Sequence, residues 1–222
     1  MLNKIILYIL FLYSMSNYYY FFTWYLSMES KFTHEALQLS ISSFLPMFIF
    51  IFLTHYLYYP KRNDDYALVI SFPPLVLLFC INLGFTISTL NLYHFQLYSL
   101  PDSLNILRSM EIGIVFIILA FAILFLSINE FRKVNEDPIP TSSTTLIIQN
   151  GIYQYTRNPM YLAMLLLQLG IGMSLSMIHI ILLIPLTFII LNYYVIVPEE
   201  EYLKIKFNDR YLKYNKKVRR WI

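Results

Sequence analysis

Asn158-Pro159-Met160-Tyr161 opens a run of forty residues, NPMYLAMLLLQLGIGMSLSMIHIILLIPLTFIILNYYVIV, that ends at Val197 without one Asp, Glu, Lys or Arg. A helix crosses the hydrocarbon core with roughly 20 residues, so the run is long enough for two crossings. A break near Ser174-Leu175-Ser176-Met177, with Gly170, Gly172 and His179 close by, makes it a tight helical hairpin. Read instead as one helix, it would put the segments before and after it on opposite sides of the bilayer.

Working outward, the rest of the chain is of the same kind. Of the 222 residues, 58% are hydrophobic and 13% charged. Soluble domains carry roughly 25% charged residues, so the deficit identifies a polytopic membrane protein. Four further apolar runs precede the hairpin, at about Lys4–Leu26, Ala36–Tyr59, Tyr66–Leu92 and Glu111–Glu130. The first is too long for a signal-peptide core and lacks a small-residue cleavage site, so it reads as a retained span. Its aromatic cluster, Tyr18 to Tyr25, suits an interfacial belt. Pro46 is expected to kink the second run, and Pro73-Pro74 to bend the third. The expected fold is all-α, with six transmembrane helices, a C-terminal hairpin and an amphipathic cytoplasmic tail helix.

Charge fixes the orientation. With the N-terminus inside, fourteen of the sixteen Lys and Arg residues fall on cytoplasmic segments, among them Lys61, Arg62, Arg132, Lys133 and eight in the tail. Lys31 and Arg108 are left outside. This asymmetry is the positive-inside pattern, and it places both termini in the cytoplasm. In the tail, Leu203, Phe207, Tyr211, Tyr214 and Val218 recur at helical spacing, with lysines on the other faces. Such a helix is expected to lie along an anionic lipid surface.

The lone Cys80 excludes a disulfide within the chain, and no His or carboxylate cluster has metal-ligand spacing. No Gly-rich phosphate loop is present, and the basic balance belongs to a membrane surface rather than to nucleic acid. No apolar run carries a charge at mid-depth, which argues against a transporter or channel component.

Two polar strips remain. One is Asn150-Gly151-Ile152-Tyr153-Gln154-Tyr155-Thr156-Arg157-Asn158-Pro159-Met160-Tyr161, and the other is Pro198-Glu199-Glu200-Glu201. Asn158-Pro159 is a good helix opening by capping chemistry alone, and Glu199 to Glu201 suit a helix N-terminus. In order and spacing, Gly151-x-Tyr153, Arg157-Asn158-Pro159-x-Tyr161, Glu199-Glu200-x-x-Leu203, Phe207, Tyr211-x-x-Tyr214 and Val218-x-Arg220 resemble the integral-membrane methyltransferases. These are the family of isoprenylcysteine carboxyl methyltransferase and the phospholipid N-methyltransferases. The resemblance covers about residues 144–222; residues 1–143 are a divergent region of four spans.

The resemblance implies a cytoplasm-facing pocket for S-adenosylmethionine, closed by the tail helix and open sideways to a membrane lipid or other lipophilic small-molecule acceptor. It carries cofactor contacts onto Thr145, Leu146, Ile147 and Ile148, then Tyr153, Asn158, Pro159, Met160 and Tyr161, and finally Glu199. It implies no nucleophilic side chain, since the methyl carbon is activated by the donor's own sulfonium. Asn158 stands where the family commonly has His and cannot titrate near neutral pH. Ala163 and Asn208 replace family glycines. Val195 occupies the position at which the prenylcysteine enzymes carry a substrate-binding Arg, so a carboxylate acceptor would lack its charge partner here. A relative without catalysis, serving as a membrane scaffold or partner subunit, is the alternative within the same fold.

Overall fold

The computed structural model describes residues 2–27, 33–58, 67–140 and 142–222. Among them the chain is helical without strands: α1 (Leu2–Leu26), α2 (Thr33–Tyr58), α3 (Pro73–Leu90), α4 (Met110–Lys133), α5 (Pro159–Ser174), α6 (Ile178–Leu182), α7 (Ile184–Leu191), α8 (Val197–Phe207) and α9 (Asp209–Lys217). Turns of 3₁₀ type cover Asp102–Arg108 and Gly151–Gln154, and π-turns extend α3 and link α7 to α8. The charged turn expected at Lys61–Asp65 lies outside the described residues.

Five helical segments are long and apolar enough to cross a membrane, the last running from Ile178 to Phe207. The hairpin is present, but its arms are unequal: α5 has 16 residues and the returning arm 30. The turn between them is a Schellman motif. Met177 N donates to Gly172 O at 2.8 Å and Ser176 N to Met173 O at 3.0 Å, with Ser176 at φ 54°.

Pro73 and Pro74 do not bend α3; they start it. Phe72 precedes them in an extended conformation (φ −68°, ψ 121°), and a proline in the first turn forfeits no helical hydrogen bond. The residues before it are a non-helical strap whose Ala67 and Val69 are buried with Val76, Tyr161, Leu191, Val195 and Ile196. Ile70 N donates to Tyr194 O at 3.1 Å, tying the strap to the π-turn. Pro46 lies within α2, which runs on past it.

At the other end of the bundle Phe21, Phe44, Phe85, Met177 and Ile180 form a second core. Phe85 meets both Phe21 and Phe44 edge-on at 4.8 Å between ring centres. The aromatic cluster of α1 is therefore divided: Phe21 fills this core, while Tyr19 and Tyr20 are exposed as a belt requires. α4 and α5 approach through glycine; a Cβ on Gly170 would stand 2.7 Å from Gly113 O, closer than any side chain tolerates.

These contacts sort the helix ends. Tyr25 Oη, near the end of α1, donates to Leu175 O at the hairpin turn at 2.6 Å. The start of α1, the start of α3, the end of α4, the start of α5 and the tail therefore gather at the opposite end. The start of α1 and the C-terminal residues thus share one end, while α5, at 16 residues, is shorter than the five segments long enough to cross.

The tail is not one helix. It breaks at Asn208, where the backbone turns to φ 44° and ψ −119°, a conformation that favours glycine. The apolar face expected from the spacing does form, but it packs on the protein: Tyr211, Tyr214 and Val218 are buried against Ile147, Leu203 and Phe207.

Candidate active site

The strip after α4 owes its shape to Gly151. Its φ is +57°, and a Cβ there would come within 2.4 Å of Glu130 Oε1. Glu130, at the end of α4, is buried and bonded by Lys133 Nζ at 2.6 Å. The following 3₁₀ turn points Tyr153 inward against Phe131, and Tyr214 Oη donates to Tyr153 O at 2.7 Å.

Asn158 occupies the N-cap position of α5, yet its side chain does not cap the helix. Nδ2 donates instead to Arg220 O at 2.9 Å, and Thr156 Oγ1 donates to the same carbonyl at 3.2 Å. The first-turn amides of Met160 and Tyr161 thus have no side-chain cap at the positive end of the helix, and both residues line the cavity described below.

Across from the strip, α8 supplies two adjacent carboxylates with different duties. Glu200 is committed to structure. Its Oε1 accepts from Arg157 Nη2 at 2.8 Å and from Arg220 Nε at 3.1 Å, and its Oε2 from Arg220 Nη2 at 2.7 Å. Arg157 also donates to Asn215 O at 2.9 Å, to Asn215 Oδ1 and to Val218 O at 3.0 Å. This clasp pulls the C-terminal residues over the strip, and Arg157 N completes it by donating to Arg219 O at 3.0 Å. Glu199 is the free one. Tyr161 Oη donates to its Oε1 at 2.6 Å, and Oε2 has no hydrogen-bond partner among the described residues.

Strip, glutamates and tail line one cavity, open at its mouth. Nine of the ten residues expected to touch the cofactor line it: Leu146, Ile147, Ile148, Tyr153, Asn158, Pro159, Met160, Tyr161 and Glu199. Thr145 does not. Its amide donates to Glu136 Oε1 at 3.0 Å and its hydroxyl to the same oxygen, which turns it outward and leaves Thr144 on the wall.

Sequence reasoning missed the rest of the lining. Ala67 comes from the strap before α3, Phe131 from the end of α4, and Asp137 to Pro140 from the long loop after it. Tyr202, Tyr211 and Tyr214 close the tail side. Arg157 and Arg220 stand in the quoted motifs without an assigned role; their signal was charge, two cations and a paired carboxylate in a chain otherwise poor in them.

Among the described residues Arg157 is the one Lys or Arg that lines the cavity, and it is paired with Glu200. Burial raises the phenols of Tyr153, Tyr211 and Tyr214, so they stay neutral and present aromatic faces and hydroxyls. The hydrogen bonds that Arg220 donates to Glu200 hold its guanidinium firmly charged.

The sequence also matches a known family. Residues 108–210, just under half of the chain, match the phospholipid methyltransferase family. The chain belongs to that family. Its members' methyltransferase chemistry and the membrane location agree with the apolar helices and the enclosed pocket. An uncharacterized protein of Haemophilus influenzae strain Rd is 40% identical over 67 residues, which is 28% of this chain and all of that relative. No solved structure matches the chain.

Proposed function

We propose that the protein transfers a methyl group from S-adenosylmethionine to the amine of a membrane lipid, at the cytoplasmic end of the bundle. The observation that carries the reading is Glu199: a carboxylate with one oxygen fixed and one oxygen open, in a pocket where the one lining guanidinium among the described residues is paired with Glu200. The residues fit the donor. Glu199 Oε2 meets its positive charge, the α5 amides meet its carboxylate, and Leu146 to Ile148 with Tyr153 offer an apolar and aromatic slot for adenine.

Bound there, the donor supplies a methyl carbon already activated by a sulfonium. The protein's own task is alignment and exclusion of water. Tyr161 Oη locks the Glu199 carboxylate in place, and Oε2 can take the proton that an acceptor ammonium must lose before it attacks. The clasp of Arg157, Glu200 and Arg220 holds the tail across the cavity and shuts out solvent.

An amine is favoured over a carboxylate because, among the described residues, the one cation lining the cavity is already paired with Glu200. Val195, where prenylcysteine enzymes have Arg, is completely buried among apolar side chains. The cytoplasmic assignment rests on charge asymmetry: Lys4, Arg132, Lys133, Arg157 and the eight tail cations share the cavity's end of the bundle, whereas Arg108 lies at the other. Exposed Lys213, Lys216 and Lys217, with exposed Ile205 and Leu212 beside them, are the tail's means of contacting anionic lipid.

The test is transfer of labelled methyl from S-adenosylmethionine by the purified chain into a total lipid extract, with products identified by mass. Label in an N-methylated lipid is the expected result. Label in base-labile methyl esters would replace the amine with a carboxylate. Binding of the donor without transfer to any lipid would point to the scaffold reading.

A further inference from the structure

At the end of the bundle away from the active site, a second cavity of about 890 Å³ opens between the end of α3, the 96–100 loop, the last residue of the 3₁₀ turn and the hairpin turn. We propose that it is a binding site for a phosphate-bearing ligand, with Arg108 as its charge partner.

The cavity is a built one. His179 is buried behind it and fully engaged, Nδ1 with Ser88 Oγ at 2.9 Å and Nε2 with Tyr98 Oη. Asn91 fixes the loop, accepting from Leu97 N at 3.2 Å and donating to Tyr98 O at 2.9 Å.

Arg108 is half-buried on the wall and unneutralised. Nη2 reaches Leu100 O and Nη1 reaches Asn105 Oδ1, both at 3.4 Å, the limit of a hydrogen bond. It makes no ion pair among the described residues. The nearby carboxylates are otherwise occupied: Asp102 accepts from Asn105 Nδ2 at 3.4 Å, and Glu111 from Ser109 Oγ at 2.9 Å. A guanidinium with most of its donors uncommitted is the side chain best suited to grip phosphate with two parallel bonds. Gln96 and Ser99 add neutral donors beside it, and Leu92 and Ile178 give the same cavity an apolar wall. Phosphate beside an apolar wall at a helix-end layer describes a phospholipid headgroup; a free phosphate shares the polar half of that chemistry.

Purified full-length protein in neutral detergent, titrated with dioctanoyl phosphatidylglycerol or with inorganic phosphate and read by native mass spectrometry, tests the assignment. One of the saturably bound lipids is expected to depend on Arg108, its affinity reduced at least about tenfold in Arg108→Gln and partly kept in Arg108→Lys. Ser99→Leu, which fills the cavity and leaves Arg108 intact, should weaken binding as well. Lipid binding that excess inorganic phosphate leaves unchanged assigns the site to the lipid. Inorganic phosphate bound alone in an Arg108-dependent way assigns it to the free anion. Equal retention of both ligands by wild type, Arg108→Gln and Ser99→Leu would overturn the proposal.

Discussion

Glu200→Gln separates the clasp from the cofactor contact. The Glu200 side chain is 5% exposed and Arg157 8%, whereas Arg220 is 34% exposed. Removing one partner of a buried ion pair costs roughly 3–5 kcal/mol, since it strands the other charge. Solvent screens Arg220, so the lower end, about 3 kcal/mol, applies here. That cost falls on docking of the tail rather than on the apolar helices, whose packing does not involve Glu200. A closed tail disfavoured by about 3 kcal/mol weakens any ligand that needs closure by up to about 150-fold. The assay pairs limited trypsin digestion with S-adenosylhomocysteine binding in detergent. Glu200→Gln should expose the Lys213 to Arg220 segment to cleavage and lose affinity together, while Glu199→Gln should lose affinity with the tail still protected. A Glu200→Gln protein that keeps both tail protection and affinity would refute the assignment of Glu200 to the clasp.

Three further outcomes follow from local geometry. Tyr161→Phe, which frees Glu199 Oε1, should weaken S-adenosylhomocysteine binding by roughly tenfold to 150-fold, the loss expected for one hydrogen bond to a charged group, worth about 1.5–3 kcal/mol. Gly151→Ala should destabilise the strip by more than about 1 kcal/mol, because it combines a positive φ with collision against Glu130, and Glu130→Ala in the same chain should recover part of the loss in melting temperature. Asn208→Gly should raise the melting temperature, relieving about 1 kcal/mol of strain at φ 44°; a lower melting temperature would show that the Asn208 side chain contributes more than its backbone costs.

The apolar runs could be read from composition because the bilayer forces each crossing to satisfy its own backbone. The meeting of strip and glutamates could be read from motif order, and Leu146 to Ile148, Tyr153 and Asn158 to Tyr161 indeed face Glu199 across one cavity. What the sequence hid was tertiary. Pro73-Pro74 suits a bend or a start equally, and only the burial of Ala67 and Val69 before it decides for a start. Asn158 is a natural cap in isolation, but the Arg220 carbonyl of a distant segment captures its side chain. Motif position singled out Glu199 for the cofactor but gave Glu200 no role; that role depends on which carboxylate the two arginines reach. The tail's periodicity marks an apolar face correctly, while the choice between lipid and protein as its partner is made by Ile147.

The most direct measurement is equilibrium binding of S-adenosylhomocysteine to the purified protein and to Glu199→Ala. The expected result is one saturable site in the wild-type protein, lost in the variant at unchanged melting temperature. Absence of binding by well-folded wild-type protein, or undiminished binding by Glu199→Ala, would contradict the placement of a methyl-donor pocket between the strip and α8.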